Sequence, residues 1–234
     1  MYGGADAVPG RERLLQGRHL GAGFGGGHRD AQLYRPLHGT FAGLGHSISD
    51  ADTGAELTLL SGEIVPVTVT GCVRGAAGSP GELRGEFAAS PVGRVLANDT
   101  AGVYGSYSGP ATGQSVEVAN LQEVTTGPAE LWATVEGTAA KAYAVRIERV
   151  TMTGTDPNRN LLIRVTDQTL LEKTGGIVQG MSGSPIVQNG RLAAVLTHVL
   201  VNDPAKGMRS LRLRCWKRQT LPPEFTAGKS RKKT

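Results

Sequence analysis

A serine flanked by glycines, Ser182, is the residue of this chain whose setting is best suited to chemistry. It lies in the segment Gly180-Met181-Ser182-Gly183-Ser184-Pro185. A serine nucleophile needs a base to take its proton and N–H donors to hold the oxyanion formed in acyl transfer. Gly180 lets the backbone turn tightly, so that its N–H and that of Ser182 can point at one spot. The segment therefore predicts a nucleophile with an oxyanion hole formed by the backbone N–H groups of Gly180 and Ser182.

The order of residues around Ser182 distinguishes two kinds of nucleophile turn. A Gly-x-Ser-Gly-x-Pro turn, followed here by the hairpin signal Asn189-Gly190, is typical of serine peptidases. An α/β-hydrolase elbow would need Gly-x-Ser-x-Gly, whereas position 184 is Ser. The alternative interpretation is a loop rich in Ser and Gly that joins two strands and has no chemical role.

A histidine is expected to act as the base. The five histidines of the chain are His19, His28, His38, His46 and His198. The first three lie in a glycine-rich leader, and His198 lies in a predicted strand, where a core histidine is expected. His46 follows a predicted strand end and precedes Ser182, which gives the His–Asp–Ser order of chymotrypsin-like enzymes. The sequence therefore predicts His46 as the base, acting jointly with Ser182.

Three aspartates are candidates for the acid that orients the base. Asp50 lies four residues after His46, and Asp99 lies between His46 and Ser182 at a spacing common in two-barrel peptidases. Asp167 ends a predicted strand just before the nucleophile segment. Each of the three has the alternative role of a turn or cap residue, and the residues alone do not choose among them.

The elements that must position these residues are predicted to be β-strands. β-Branched residues alternate with polar ones through the middle of the chain, with turn signals every 8–12 residues or so, which indicates a sandwich or barrel. Residues 143–150 alternate cleanly and predict a strand with one buried face. Residues 56–60 and 63–69 flank Ser61-Gly62 and predict a hairpin. Residues 168–173 predict a single helical turn.

The two ends of the chain differ from the middle in composition. Residues 1–39 contain ten glycines and only one β-branched residue, Val8, and residues 208–234 contain no Val or Ile. Although the whole chain has a net charge of +5, residues 208–234 alone carry +8, and residues 40–207 carry about −5. These shifts predict three parts: a leader over 1–39, a core over 40–207 and a basic tail over 208–234. A solvated, disordered end explains the tail, and no specific nucleic-acid partner is expected.

Several functional classes are disfavoured by the sequence. Cys72 and Cys215 are too few for a disulfide framework or a zinc cluster and are expected to be unpaired thiols. No apolar run approaches the ~18 residues of a membrane span. Residues 1–30 carry no apolar signal-peptide region, so an export signal is not expected within this chain.

Separate segments of the core, in the right order, resemble one family. They are Gly43-Leu44-Gly45-His46, Ser79-Pro80-Gly81-Glu82-Leu83 with Gly85 and Phe87, Val165-Thr166-Asp167, the run from Leu170 to Ile186, and Thr197-His198-Val199-Leu200-Val201-Asn202-Asp203-Pro204. Together they are similar to the SpoIVB peptidase family, the stage IV sporulation serine peptidases of endospore-forming bacteria. The resemblance covers roughly residues 40–207.

The resemblance implies a chymotrypsin-like double β-barrel that needs no metal or cofactor. It implies that His46 is the base, Ser182 the nucleophile and Asp167 the acid. It also implies a serine endopeptidase secreted into the space between the forespore and mother-cell membranes. The partner there is a protein substrate, a membrane-associated regulator of an intramembrane metalloprotease complex, and its cleavage triggers processing of a late sigma-factor precursor.

The chain also departs from the family pattern at both ends. No membrane anchor or PDZ domain precedes the peptidase part, residues 16–39 do not resemble the family's first strand pair, and a basic run replaces an apolar strand after Gly207. We expect that residues 1–39 and 208–234 are disordered or out-of-frame and that the barrel is incomplete at its first strands. Two alternative functions follow: an inactive remnant of such a peptidase, or a non-enzymatic β-domain that binds a peptide or an anionic surface.

Overall fold

The computed structural model describes residues 13–16, 20–22, 33–35, 39–43, 46–49, 56–57, 62–99, 102–109, 115–151 and 160–210. Within these ranges the chain is almost entirely β-strand, which confirms the all-β prediction. The strands are β1 (Arg13–Gln16), β2 (Leu20–Ala22), β3 (Leu33–Arg35), β4 (Thr40–Gly43), β5 (Gly62–Val73), β6 (Glu82–Phe87), β7 (Gly93–Asp99), β8 (Gly102–Tyr107), β9 (Ser115–Val118), β10 (Gly127–Ala133), β11 (Lys141–Val150), β12 (Leu161–Val165), β13 (Pro185–Gln188), β14 (Arg191–Val199) and β15 (Lys206–Ser210). A short helix, α1 (Gln168–Thr174), and a 3₁₀ turn at Leu121–Glu123 complete the described elements.

Six strands close into a barrel in the C-terminal half. Their order is β13-β10-β11-β12-β15-β14, and a further pairing of β13 with β14 closes the ring. The predicted alternation of β11 is confirmed, because Tyr143, Val145 and Ile147 are buried while the residues between them are not. These side chains join the largest apolar core, in which Leu131, Ile163 and several neighbours are fully buried. The candidate nucleophile lies in the turn that leads into β13 of this barrel.

The other strands form a sheet that continues from the barrel through β14. It runs β9-β1-β3-β4-β8-β7-β5-β2, and β6 pairs with β5. A smaller core beneath it contains Phe41, Ile48, Ile64, Val95, Val103 and Tyr107. The pairings of the described residues do not close this half into a ring. Three short strands, β1 to β3, lie within residues 1–39, and β15 extends to Ser210; whether those ends are out-of-frame stays a prediction.

Local signals in the sequence explain how the two halves hold the candidate site. Asn189 and Gly190 have φ angles of 52° and 73°, as a two-residue hairpin of type I′ requires, and this prediction is confirmed. The hairpin folds β14 back along the nucleophile segment, where the Gly183 N–H donates to the Leu196 carbonyl at 2.7 Å. The predicted helical turn over residues 168–173 is also confirmed and is one residue longer.

Other predictions have partial outcomes. Glu56 forms an isolated bridge with Ser49, while β5 pairs with β2, β6 and β7. Residues 58–60 of the strand predicted at 56–60 lie outside the described residues. Cys72 is a free cysteine, and Cys215 lies outside the described residues. In the part of the chain that the structure describes, no helix is long and apolar enough to cross a membrane.

Candidate active site

The candidate nucleophile, Ser182, lies in a tight turn that leads into β13. Gly180 and Gly183 have φ angles of 95° and 92°, which are accessible to glycine and strained for other residues. A Cβ added to Gly180 would also lie only 3.1 Å from the Leu83 Cβ. The Met181 side chain is fully buried in the barrel core and anchors the turn there. The turn therefore depends on the glycine spacing that marked it in the sequence.

Two N–H groups of this turn are available to an incoming ligand. The other amides are engaged within the fold: Met181 donates to the Val178 carbonyl at 3.3 Å and Ser184 donates to the Met181 carbonyl at 3.1 Å. Among the described residues, neither the Gly180 N–H nor the Ser182 N–H has an acceptor. Gly180 and Ser182 are half-buried, so these two donors on either side of Met181 can be reached from outside and are suited to a developing oxyanion.

The Ser182 hydroxyl is held by the neighbouring strand. Its Oγ donates to the carbonyl of Thr197 at 3.1 Å, and the side chain is half-buried. Thr197 lies on β14, so the contact fixes the hydroxyl against the edge of the barrel. Ser182 and His46 share no hydrogen bond in this structure. Attack on a substrate would therefore need the hydroxyl to rotate from the Thr197 carbonyl toward a base, and loose catalytic contacts are common in unliganded enzymes.

The contact of the His46 ring with Ser47 fits the tautomer that a general base needs. Its Nδ1 lies 2.8 Å from the Ser47 carbonyl oxygen. A carbonyl only accepts, so this contact requires the proton on Nδ1 and leaves the lone pair of a neutral ring on Nε2. A backbone carbonyl thus holds the ring proton in the role that an aspartate has in the Ser-His-Asp arrangement.

Asn98 of β7 positions the segment that carries His46. Its Oδ1 accepts from the Ile48 N–H at 2.7 Å, and its Nδ2 donates to the carbonyls of Ile48 at 3.0 Å and Leu57 at 2.9 Å. One side-chain amide therefore joins two separate pieces of backbone that the chain connects only through residues 49–56. The apolar contact of Ile48 with the smaller core completes this anchor.

His198 lies beside His46, which the sequence did not predict. The two ring centroids are 5.3 Å apart and the planes are tilted by 36°. His198 is exposed, so the expectation of a core histidine in a strand is wrong. The reason is a β-bulge: the pairing of β14 with β15 shifts register between Leu196 and His198, which ends the buried run of β14. His198 also directly follows Thr197, whose carbonyl accepts from Ser182.

The three acid candidates have different outcomes. Asp167 caps α1: its carboxylate accepts from the Leu170 N–H at 3.0 Å and from the Ala144 N–H at 3.3 Å, and it makes no hydrogen bond to His46. Asp99 ends β7 next to Asn98 and is exposed. Asp50 lies outside the described residues. The structure thus ties Ser182 to Thr197 of β14, sets the adjacent His198 against His46, and places Asp167 in a helix cap.

Burial and the negative charge of Asp167 raise the pKa of Tyr143, on the buried face of β11. Burial raises the pKa of Tyr143 above its ordinary value, and the negative charges of Asp167 and then Glu136 raise that pKa further. No group of three His, Cys, Asp or Glu side chains within the described ranges is arranged to hold a metal ion.

A comparison with protein families identifies the family of this chain. A family model described as SpoIVB peptidase S55 matches residues 27–211. The chain belongs to the SpoIVB peptidase family. This confirms the resemblance found in the sequence, and it makes the protein a serine endopeptidase that acts on a protein substrate. The match extends on both sides of residues 40–207 and begins inside the segment predicted to be a leader.

The comparisons with individual proteins are weaker. No curated protein matches the chain. Among solved structures it is similar to an inactive mutant form of Rv3671c from M. tuberculosis H37Rv, at 16% identity over 66% of this chain and 78% of that chain, with a TM-score of 0.36. A likeness this distant says nothing about the site of this SpoIVB-family protein.

Proposed function

We propose that this SpoIVB-family chain cleaves peptide bonds with Ser182 as nucleophile, His46 as base and the N–H groups of Gly180 and Ser182 as the oxyanion hole. One observation carries the proposal. The Ser182 hydroxyl donates to the carbonyl of Thr197, and the next residue of β14, His198, contacts the ring of His46. In the same turn, the N–H groups of Gly180 and Ser182 have no acceptor among the described residues. Nucleophile, base and oxyanion donors are the parts that acyl transfer needs.

The chemistry of the proposal follows from the tautomer of His46. As the Ser182 Oγ attacks the substrate carbonyl carbon, the Nε2 of His46 takes the hydroxyl proton. The C–N bond then breaks, and the same proton passes from Nε2 to the leaving amine, which leaves an ester on Ser182. A water molecule, deprotonated by Nε2, hydrolyses that ester and restores the serine. The carbonyl of Ser47 keeps the Nδ1 proton in place throughout.

We propose, following the family pattern, that Asp167 is the acid that supports His46. The contacts of Asp167 in the helix cap allow this role to be tested by substitution. An Asp167→Asn variant keeps the cap bond from the Leu170 N–H, because Asn and Asp cap helices about equally well. It removes the carboxylate charge and the oxygen that accepts from the Ala144 N–H. The labelling rate with a fluorophosphonate should fall about 10- to 100-fold. This loss is smaller than the ~10⁴-fold loss found where a carboxylate itself fixes the ring, since the Ser47 carbonyl still holds the tautomer.

Asp99→Asn is the matched control for Asp167→Asn and should label at the unchanged rate. An unchanged rate for Asp167→Asn with a strongly reduced rate for Asp99→Asn would move the acid to Asp99. Asp167→Ala also loses the cap to the Leu170 N–H and should lower the free energy of unfolding by about 1 kcal/mol.

We propose further that the protein is an extracytoplasmic sporulation protease, whose substrate is a regulatory protein of an intramembrane protease complex. This finer role is supported by the family membership. It is tested in a spore-forming strain that lacks its own SpoIVB-family peptidase and exports this chain behind an added signal sequence. Processing of the late sigma-factor precursor, followed by immunoblot, should return with the wild-type chain and not with Ser182→Ala.

The signalling role and the peptidase activity can fail separately in this test. A purified chain that degrades an unfolded protein in vitro, yet is exported and stable without restoring precursor processing, would contradict the signalling role and leave the peptidase assignment standing.

A further inference from the structure

His198 and His46 make a contact that joins the two halves of the molecule. His198 belongs to β14 of the closed barrel, on the same strand as Thr197, whose carbonyl accepts from Ser182. His46 belongs to the segment that Asn98 ties to β7 of the other sheet. The ring contact at 5.3 Å therefore runs from the half that carries the candidate nucleophile to the half that carries the candidate base.

Two other contacts hold the segment of His46 within its own half of the molecule. The Nδ1 contact with the Ser47 carbonyl fixes the tautomer within the residue's own segment. Asn98 fixes Ile48, two residues further along the chain. Neither contact reaches the barrel that holds Ser182. His198 does, because it follows Thr197 directly and its side chain is exposed on the side where His46 lies.

We propose that His198 is a positioning residue, whose ring sets the place of the His46 ring relative to Ser182. This inference rests on the proposed function of His46 and Ser182. A centroid separation of 5.3 Å with a 36° tilt lies in the range of aromatic packing. The role is assigned to the flat ring of His198, and the comparison of two variants below separates it from a role of the ring nitrogens.

If ring packing is what matters, His198→Ala and His198→Phe should differ in their rate of labelling. His198→Ala removes the ring contact between His46 and β14 of the barrel, and a base misplaced by about 1 Å costs about 100-fold in rate. The maximal inactivation rate with a fluorophosphonate should fall about 10- to 100-fold. The concentration for half-maximal inactivation should stay constant, since His198 does not bind the probe. His198→Phe should restore most of the rate.

The experiment compares the labelling kinetics of His198→Ala, His198→Phe and Val201→Ala with those of the wild type. Val201 is an exposed residue just beyond β14 and serves as the control for surface changes in this region; it should label like the wild type. A wild-type rate for His198→Ala overturns the proposal. So does a His198→Phe variant that is folded and as slow as His198→Ala, because it would assign the role to the nitrogen atoms.

A second measurement keeps the inference testable if the chain does not label at all. In a Ser182→Ala background, the Cε1–H signal of His46 in the NMR spectrum of histidine-labelled protein reports the ring contact directly. We expect His198→Ala to shift this signal and Val201→Ala to leave it unchanged. An unmoved His46 signal in folded His198→Ala overturns the positioning role, whereas absent labelling in the wild type counts only against the proposed function.

Discussion

Replacing Ser182 with alanine is expected to abolish cleavage of an unfolded protein substrate such as fluorescently labelled casein. Loss of a serine nucleophile costs about 10⁶-fold in rate where the serine, its base and an oxyanion hole act as a unit. The fold should survive, because the Ser182 side chain contributes one hydrogen bond, to the Thr197 carbonyl. Removing such a bond costs about 1 kcal/mol, so the thermal unfolding midpoint should move by only a few degrees.

Ser90→Ala is the matched control for this prediction. Ser90 is exposed and lies between β6 and β7, and it has no part in the nucleophile turn, so its variant should cleave casein at the wild-type rate. A folded Ser182→Ala protein that still cleaves casein at the wild-type rate would contradict the assignment of the nucleophile.

The second large effect is expected for His46→Ala. Without the Nε2 lone pair the hydroxyl of Ser182 has no acceptor for its proton, and loss of the base costs about as much as loss of the nucleophile. Casein cleavage should fall by at least about 10⁴-fold. The effect should exceed that of His198→Ala, since His198 acts through the ring of His46.

The relative size of these two effects is itself a test. Ser47→Ala provides the control, because the contact to His46 uses the Ser47 carbonyl and not its hydroxyl; this variant should keep most of its activity. If His46→Ala retained activity and His198→Ala lost all of it, His198 would be the base and the assignment of His46 would be wrong.

Features set by local chemistry could be predicted from the sequence. The Gly180 turn and the Asn189-Gly190 hairpin both depend on positive φ angles, and glycine and asparagine mark such positions. The strand at residues 143–150 could be predicted because one face of β11 is buried and the other is not. These local signals are enough to predict the tight turn that carries Ser182.

Features set by packing between distant strands could not be predicted in the same way. His198 follows a continuous buried run in β14, so alternation gives no warning that a bulge exposes it beside His46. Asn98 is 50 residues from Ile48, and nothing local to either residue predicts their contact. Asp167 suited both a cap and an acid in the sequence, and its place at the start of α1 shows the cap role.

The most direct test of Ser182 as the nucleophile is to find which residue a fluorophosphonate modifies in the wild-type chain. Mass spectrometry of the digested product should show one adduct, on Ser182, that is absent when His46 is replaced by alanine. The Gly180 and Ser182 N–H groups would then hold the phosphonate oxygen, as proposed for the oxyanion. A folded chain that forms no adduct, or one that carries it on another residue, would contradict the claim that Ser182 is the activated nucleophile.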